Sequence, residues 1–140
     1  MKSNNPILLL EDDDVDVMTT KRALKELKIT NPLQVAGNGE EALVYLQNPQ
    51  NTKPCLILLD LNMPRMDGIT FLKIIKDDPV LKRLPVIVLT TSDETRDKIE
   101  SFDLSVAGYM LKPVNYQQFV EVLKAIKLYW SLSELPPQDS

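Results

Sequence analysis

Histidine is missing from all 140 residues, which removes the commonest general base and the commonest metal ligand together. Any chemistry that needs a histidine must draw it from a partner. The single cysteine, Cys55, cannot close an internal disulfide. Only four glycines occur and no glycine-rich loop follows the first apolar run, so the phosphate cradle of a nucleotide or flavin binder is lacking. No apolar stretch approaches a membrane span or has the layout of a signal peptide, so the expected compartment is the cytoplasm, with no membrane partner. Sixteen basic residues are mixed with 20 acidic ones for a net charge of −4, which offers nucleic acid no basic stripe to bind.

What the chain does have is 44% hydrophobic residues in a length suited to one core, expected over residues 1–130 with a short C-terminal tail at 131–140. Apolar runs alternate with helical patterns. Ile7 to Leu10, Leu33 to Ala36, Cys55 to Leu59, Val86 to Leu89 and Gly108 to Leu111 read as strands. Helices are predicted over Asp14 to Lys28, Glu40 to Leu46, Gly68 to Asp77, Glu94 to Phe102 and Tyr116 to Trp130, the last with Phe119, Leu123, Ile126 and Trp130 as its apolar stripe. Pro6, Pro32, Pro54 and Pro85 each precede a strand, and Pro79 closes the third helix. Five strands alternating with five helices predict a doubly wound, parallel α/β domain.

In such sheets ligands bind beyond the carboxyl ends of the strands. The third strand runs out in "ILLDLNMPRMDG", placing Asp60 where buried core becomes loop. The first strand ends in "EDDD", the fourth in Thr90-Thr91, and the fifth is followed by Lys112. Asp13 or Asp14 is most simply the N-cap of the first helix, and Asp67-Gly68 a turn and helix start. Glu11, Asp12 and Asp60 on one rim repel each other and call for a hard cation such as Mg²⁺. A carboxylate between a divalent ion, a lysine and a hydroxyl is suited to attack a phosphoryl group and form an aspartyl phosphate.

The set "LLLEDD", "LLDLNMPRMDG", "VIVLTTSD" and "GYMLKPV", in that order and spacing, resembles the receiver domain of bacterial two-component response regulators, from about Pro6 to about Leu128. The resemblance implies a flavodoxin- or CheY-like sheet in the strand order 2-1-3-4-5. It further implies that Asp60 is the phosphoacceptor, and that Glu11 and Asp12 bind Mg²⁺ with help from the main-chain carbonyl of Asn62. Thr90 and Tyr109 then form the switch, and Lys112 pairs with the phosphate next to a Lys-Pro bond often cis in the family. Thr91 stands where the family more often has a smaller residue. The implied partner is a sensor histidine kinase or phosphotransfer protein. The implied chemistry is self-phosphorylation and autodephosphorylation, with no output domain after the last helix.

A related α/β phosphatase needs an acid/base two residues after its nucleophile, and Asn62 cannot serve as one. Docking without phosphorylation is the remaining alternative, and the complete acidic pocket argues against it. The end "AIKLYWSLSELPP" resembles that of stand-alone regulators paired with bacteriophytochromes, with a chemotaxis-like regulator or phosphorelay shuttle as the other reading. Leu128 is expected to be exposed among Glu121 and Lys124. With Arg96, Asp97, Lys98 and Glu100 of the fourth helix, it predicts a face that pairs with a second copy when Asp60 is phosphorylated, a homodimer through helix four, strand five and helix five.

Overall fold

A computed structural model describes residues 4–132. Five strands form one sheet: β1 (Ile7–Leu10), β2 (Leu33–Ala36), β3 (Leu56–Leu59), β4 (Val86–Thr90) and β5 (Gly108–Leu111). All neighbours pair in parallel, in the expected order β2-β1-β3-β4-β5. The helices are α1 (Asp14–Glu26), α2 (Gly39–Gln47), α3 (Gly68–Lys76), α4 (Thr95–Asp103) and α5 (Tyr116–Leu132). Contacts of α1 with α5, and of α3 with both α2 and α4, put two helices on one face of the sheet and three on the other.

This layering explains why the central strands are apolar throughout, up to Thr90 at the end of β4. Leu8, Leu10, Ile57, Leu59, Val86 and Val88 point into a core with Ala42, Leu46, Phe71, Leu72 and Ile75. The alternate residues Ile7, Leu9, Leu56, Leu58, Ile87 and Leu89 point into a second core with Leu24, Phe119, Leu123, Ile126 and Trp130. A strand sandwiched between two helical layers has no polar face, so its sequence does not alternate. The stripe expected on α5 is buried, and Leu128 stands 61% exposed as expected.

Several boundaries differ from the predicted ones. Strand β3 begins one residue later, at Leu56, while β4 runs one residue further, to Thr90. Helix α2 is one residue longer at each end, α3 ends at Lys76, α4 is shifted one residue onward and α5 continues to Leu132. A 3-10 turn at Leu81–Arg83, which apolar periodicity is too coarse to show, leads into β4. The tail expected from residue 131 lies, from 133 onward, outside the described residues. Helix α1 stops at Glu26 because Lys28 takes a left-handed conformation, with φ of 58°. Its N–H then bonds the Lys25 carbonyl, and the N–H of Ile29 bonds that of Leu24. Ser105 ends α4 in the same way, with φ of 62° and bonds from Ser105 N to Phe102 O and from Val106 N to Ser101 O.

Both residues occupy the position at a helix end where glycine is usual, because only glycine has no Cβ to crowd the backbone there. No described glycine has a positive φ, so this glycine-poor chain makes its left-handed turns with side chains in place. Lys28→Gly and Ser105→Gly are each expected to stabilise the fold by about 0.5–1 kcal/mol, relief of strain exceeding the entropy gained by the unfolded chain. Urea denaturation checks this, and a lower midpoint for both variants is the contrary result.

Candidate functional site

The sheet reverses its winding between β1 and β3, and the candidate residues gather beyond the carboxyl ends of these strands. Main-chain bonds carry the ladder past the strand ends and so fix them. The N–H of Glu11 donates to Ala36 O (3.0 Å), that of Asp60 to Leu10 O (3.1 Å) and that of Lys112 to Thr90 O (2.8 Å). Asp13 caps α1, accepting from Val15 N and Asp16 N, and so takes the structural role expected of it.

Asp60 is buried, 6% exposed as a residue, and its carboxylate is held on both oxygens. Oδ1 accepts from the Thr90 hydroxyl (2.7 Å) and the Asn62 N–H (3.0 Å), while Oδ2 accepts from Lys112 Nζ (3.0 Å). Lys112 also donates to Glu11 Oε1 and, at 2.9 Å, to Asp16 Oδ2. Burial pushes the Glu11 carboxyl up to about 7 against the downward pull of its bond to Lys112. Burial also lowers the pKa of Lys112, but its bonds to Glu11 and Asp16 outweigh this and hold it above the ordinary value of 10.5.

The structure thus brings Glu11, Asp60, Thr90 and Lys112 together. Asn62 contributes its main-chain N–H to Asp60, and its side-chain amide donates to Thr91 Oγ1 at 3.4 Å. Asp12 is exposed next to Glu11 in the chain. Among the described residues no group of three or more acidic or thiol side chains forms a ready-made metal cage, since the ammonium of Lys112 stands among the acids. The donor set nevertheless fits a hard dication. Glu11, Asp16 and Asp60 face one ammonium and leave two negative charges uncompensated when all are ionised. Mg²⁺ needs only one or two carboxylates and completes its shell with water.

Tyr109 is half-buried and tilted against Phe102, with ring centroids 6.5 Å apart. Its hydroxyl donates to Ser92 O at 2.8 Å, and the Ser92 N–H donates at 3.3 Å to the same Thr90 hydroxyl that reaches Asp60. A continuous chain of hydrogen bonds therefore links Asp60 to Tyr109. The Lys112-Pro113 peptide bond is trans.

Sequence reasoning missed two contributors. Asp16 reaches Lys112 from the first turn of α1, where acidic residues are common for the helix dipole alone, so no pattern marks it. Gly68, read as a turn residue, packs α3 against the loop that follows β3. A Cβ there would lie 2.7 Å from Leu61 Cα and 2.9 Å from Asp60 O, so a side chain would push the Asp60–Leu61 peptide out of place.

A parallel sheet in this strand order, with a fixed carboxylate at its switch point and a hydroxyl and an ammonium closing on it, defines a receiver-type signalling domain. The chain belongs to the response regulator receiver domain family, whose pattern matches residues 7–124. It is 38% identical over 135 residues to response regulator Rcp1 of Synechocystis sp., a match covering 92% of each chain. Among solved structures, the phosphorylated cyanobacterial phytochrome response regulator RcpA shares 36% identity at a TM-score of 0.89, covering 96% of this chain and 100% of that one. The Mn²⁺-bound form of Rcp1 shares 37% at a TM-score of 0.87, covering 95% and 99%. The protein accordingly works in phosphorylation-activated two-component signalling. Receiver domains interact with histidine kinases or phosphotransfer proteins, and they bind divalent metal. No described helix is long and apolar enough to cross a membrane.

The elevated Glu11 pKa has a testable sign. Between its ordinary 4.5 and about 7 the folded protein binds a proton that the unfolded chain has released. Stability therefore falls as pH rises through that window and levels off above it. In chelator-treated buffer the melting temperature of wild type should drop from pH 5 to pH 7 relative to Glu11→Gln, and parallel curves would remove Glu11 as the cause.

Proposed function

We propose that the protein accepts a phosphoryl group on Asp60 from a histidine kinase or phosphotransfer protein and signals through the face that Tyr109 adjoins. The observation that carries this reading is the grip on Asp60, with Thr90 on one oxygen and Lys112 on the other. An Asp60 oxygen forms a bond to phosphorus as the P–N bond of the partner's phosphohistidine breaks, and the histidine nitrogen leaves with the bonding pair. Lys112 and Thr90 donate to phosphoryl oxygens as charge builds there. Glu11, Asp12, Asp60 and the Asn62 carbonyl would hold Mg²⁺, which supplies positive charge to the same oxygens when bound. Thr91, exposed beside the site, sets how open it is to water.

Exposed Val15 and Met18 on α1 and Val114 after Lys112 belong to the segments that carry Asp16 and Lys112, and they give the phosphodonor protein an apolar place to dock beside Asp60. The likeness to Rcp1 and RcpA supports a phytochrome-type kinase as that donor, in the cytoplasm and without contact to membrane or nucleic acid. Incubation with acetyl phosphate and Mg²⁺ is expected to add one phosphoryl mass to wild type and none to Asp60→Asn. An unmodified wild type would overturn the assignment.

Phosphorylation is further proposed to favour a homodimer through α4, β5 and α5. Ile99, Phe102, Leu111 and Leu128 are exposed on these elements at the sheet edge formed by β5. The α4 charges expected to pair across the dimer are engaged within the chain. Lys98 meets Asp93, Glu100 meets Arg96 and Lys73, and Asp97 accepts from the Ser92 hydroxyl. The apolar residues are thus the better candidates for contact. Light scattering with beryllofluoride should show a dimer for wild type and a monomer for Leu128→Glu; a monomer for both would leave a different protein as the occupant of this face.

A further inference from the structure

An ammonium group has three N–H donors, and in this protein all three of Lys112 are in use, on Glu11, Asp16 and Asp60. To bond an incoming phosphoryl oxygen, Lys112 must give up one of them. The three acceptors do not let go equally. The Glu11 side chain is 4% exposed and that of Asp60 is 8% exposed, so water does not replace the ammonium for either carboxylate, and each lets go only as a metal ion or the new bond to phosphorus takes over its charge. The Asp16 side chain is 39% exposed, and water takes over its solvation at once when the lysine leaves. Asp16 is also the only one of the three outside the strand ends, reaching in from the first turn of α1.

We propose that Asp16 is a positioning residue for phosphoryl transfer: it holds one donor of Lys112 in the unphosphorylated protein, competes with the phosphoryl group for it, and yields it when Asp60 is modified. This deepens the reading of Asp60 as phosphoacceptor and rests on it. Lys112 does not need Asp16 to stay in place. Its main-chain N–H is fixed to Thr90 O at 2.8 Å, and its ammonium keeps the buried Glu11 and Asp60 as partners. The contact with Asp16 therefore acts mainly as a competitor, and its strength sets how much phosphodonor is needed to engage the site.

Asp16→Asn keeps the shape of the side chain and removes its charge. Asp14→Asn removes a charge from the same helical turn, at an exposed residue that does not bond Lys112, and so controls for the general field. With acetyl phosphate at saturating Mg²⁺, Asp16→Asn is expected to lower the half-saturating donor concentration by about threefold or more, as befits loss of a charge-assisted bond. The maximal rate should change little, and Asp14→Asn should stay near wild type. In wild type the side-chain ¹³C signal of Asp16 should move on adding beryllofluoride with Mg²⁺ as Lys112 departs. Equal shifts in donor dependence for the two variants would reduce the effect to bulk charge and overturn the proposal. So would a higher donor requirement for Asp16→Asn, or an unmoved Asp16 signal in a protein that binds beryllofluoride. Failure of wild type to take up a phosphoryl group would instead defeat the reading of Asp60 itself.

Discussion

Three carboxylates cannot share the end of a buried sheet unless a cation stands among them, and here that cation is the ammonium of Lys112. Strand β5, at the edge of the sheet, delivers it. The bond from Lys112 N to Thr90 O continues the β4–β5 ladder one residue past the strand and sets the direction in which the side chain departs. One ammonium balances only part of the charge it faces. The remaining deficit is what gives the site its appetite for a dication and, because burial holds Glu11 near 7, a partial appetite for protons as well. The same shortage of positive charge that makes the pocket costly to form makes it responsive to what enters it.

From Asp60 a chain of hydrogen bonds leads outward. The Thr90 hydroxyl donates to Asp60 and accepts from Ser92 N–H, and the Ser92 carbonyl accepts from Tyr109. A hydroxyl that turned to a new acceptor would release Ser92 and with it the partner of Tyr109. The helix that follows this loop lacks a side-chain N-cap. Side chains of Asp13, Asn38 and Asp67 cap α1, α2 and α3, whereas Glu94 before α4 makes no such bond. An uncapped first turn opens at lower cost than a capped one, so a change at Thr90 would reach α4 most easily, through the Ser92–Asp97 bond that joins the loop to its first turn.

The doubly wound fold was legible because every central strand is buried on both faces, and continuous runs such as "ILLL" and "LILL" then have few other readings. Asp60 was legible for the same reason, as the residue that interrupts such a run. Helix ends were less so, because Lys28 and Ser105 make left-handed turns that glycine would have announced. Asp16 was hidden for another reason. Its role depends on a contact with Lys112, 96 residues away, and an acid in a first turn already has a local explanation. Gly68 likewise satisfied a turn reading, and only the nearness of Leu61 Cα shows that no larger residue fits.

The outward face shows how local pairing redirects a surface. Read along the chain, α4 is a row of alternating charges suited to meeting their opposites on another molecule. In three dimensions Lys98, Arg96, Glu100 and Asp97 already have partners within the same protomer, and an exposed ion pair must first be broken before either member can serve an interface. What remains unspent is apolar: Ile99 and Phe102 one helical turn apart on α4, and Leu111 on β5. Phe102 is also the residue against which the Tyr109 ring rests. A rotation of Tyr109 would therefore change the shape of the apolar patch directly, with no need for the charges to rearrange, and a partner docking at this face would read the packing against Phe102 more than the sign pattern of α4.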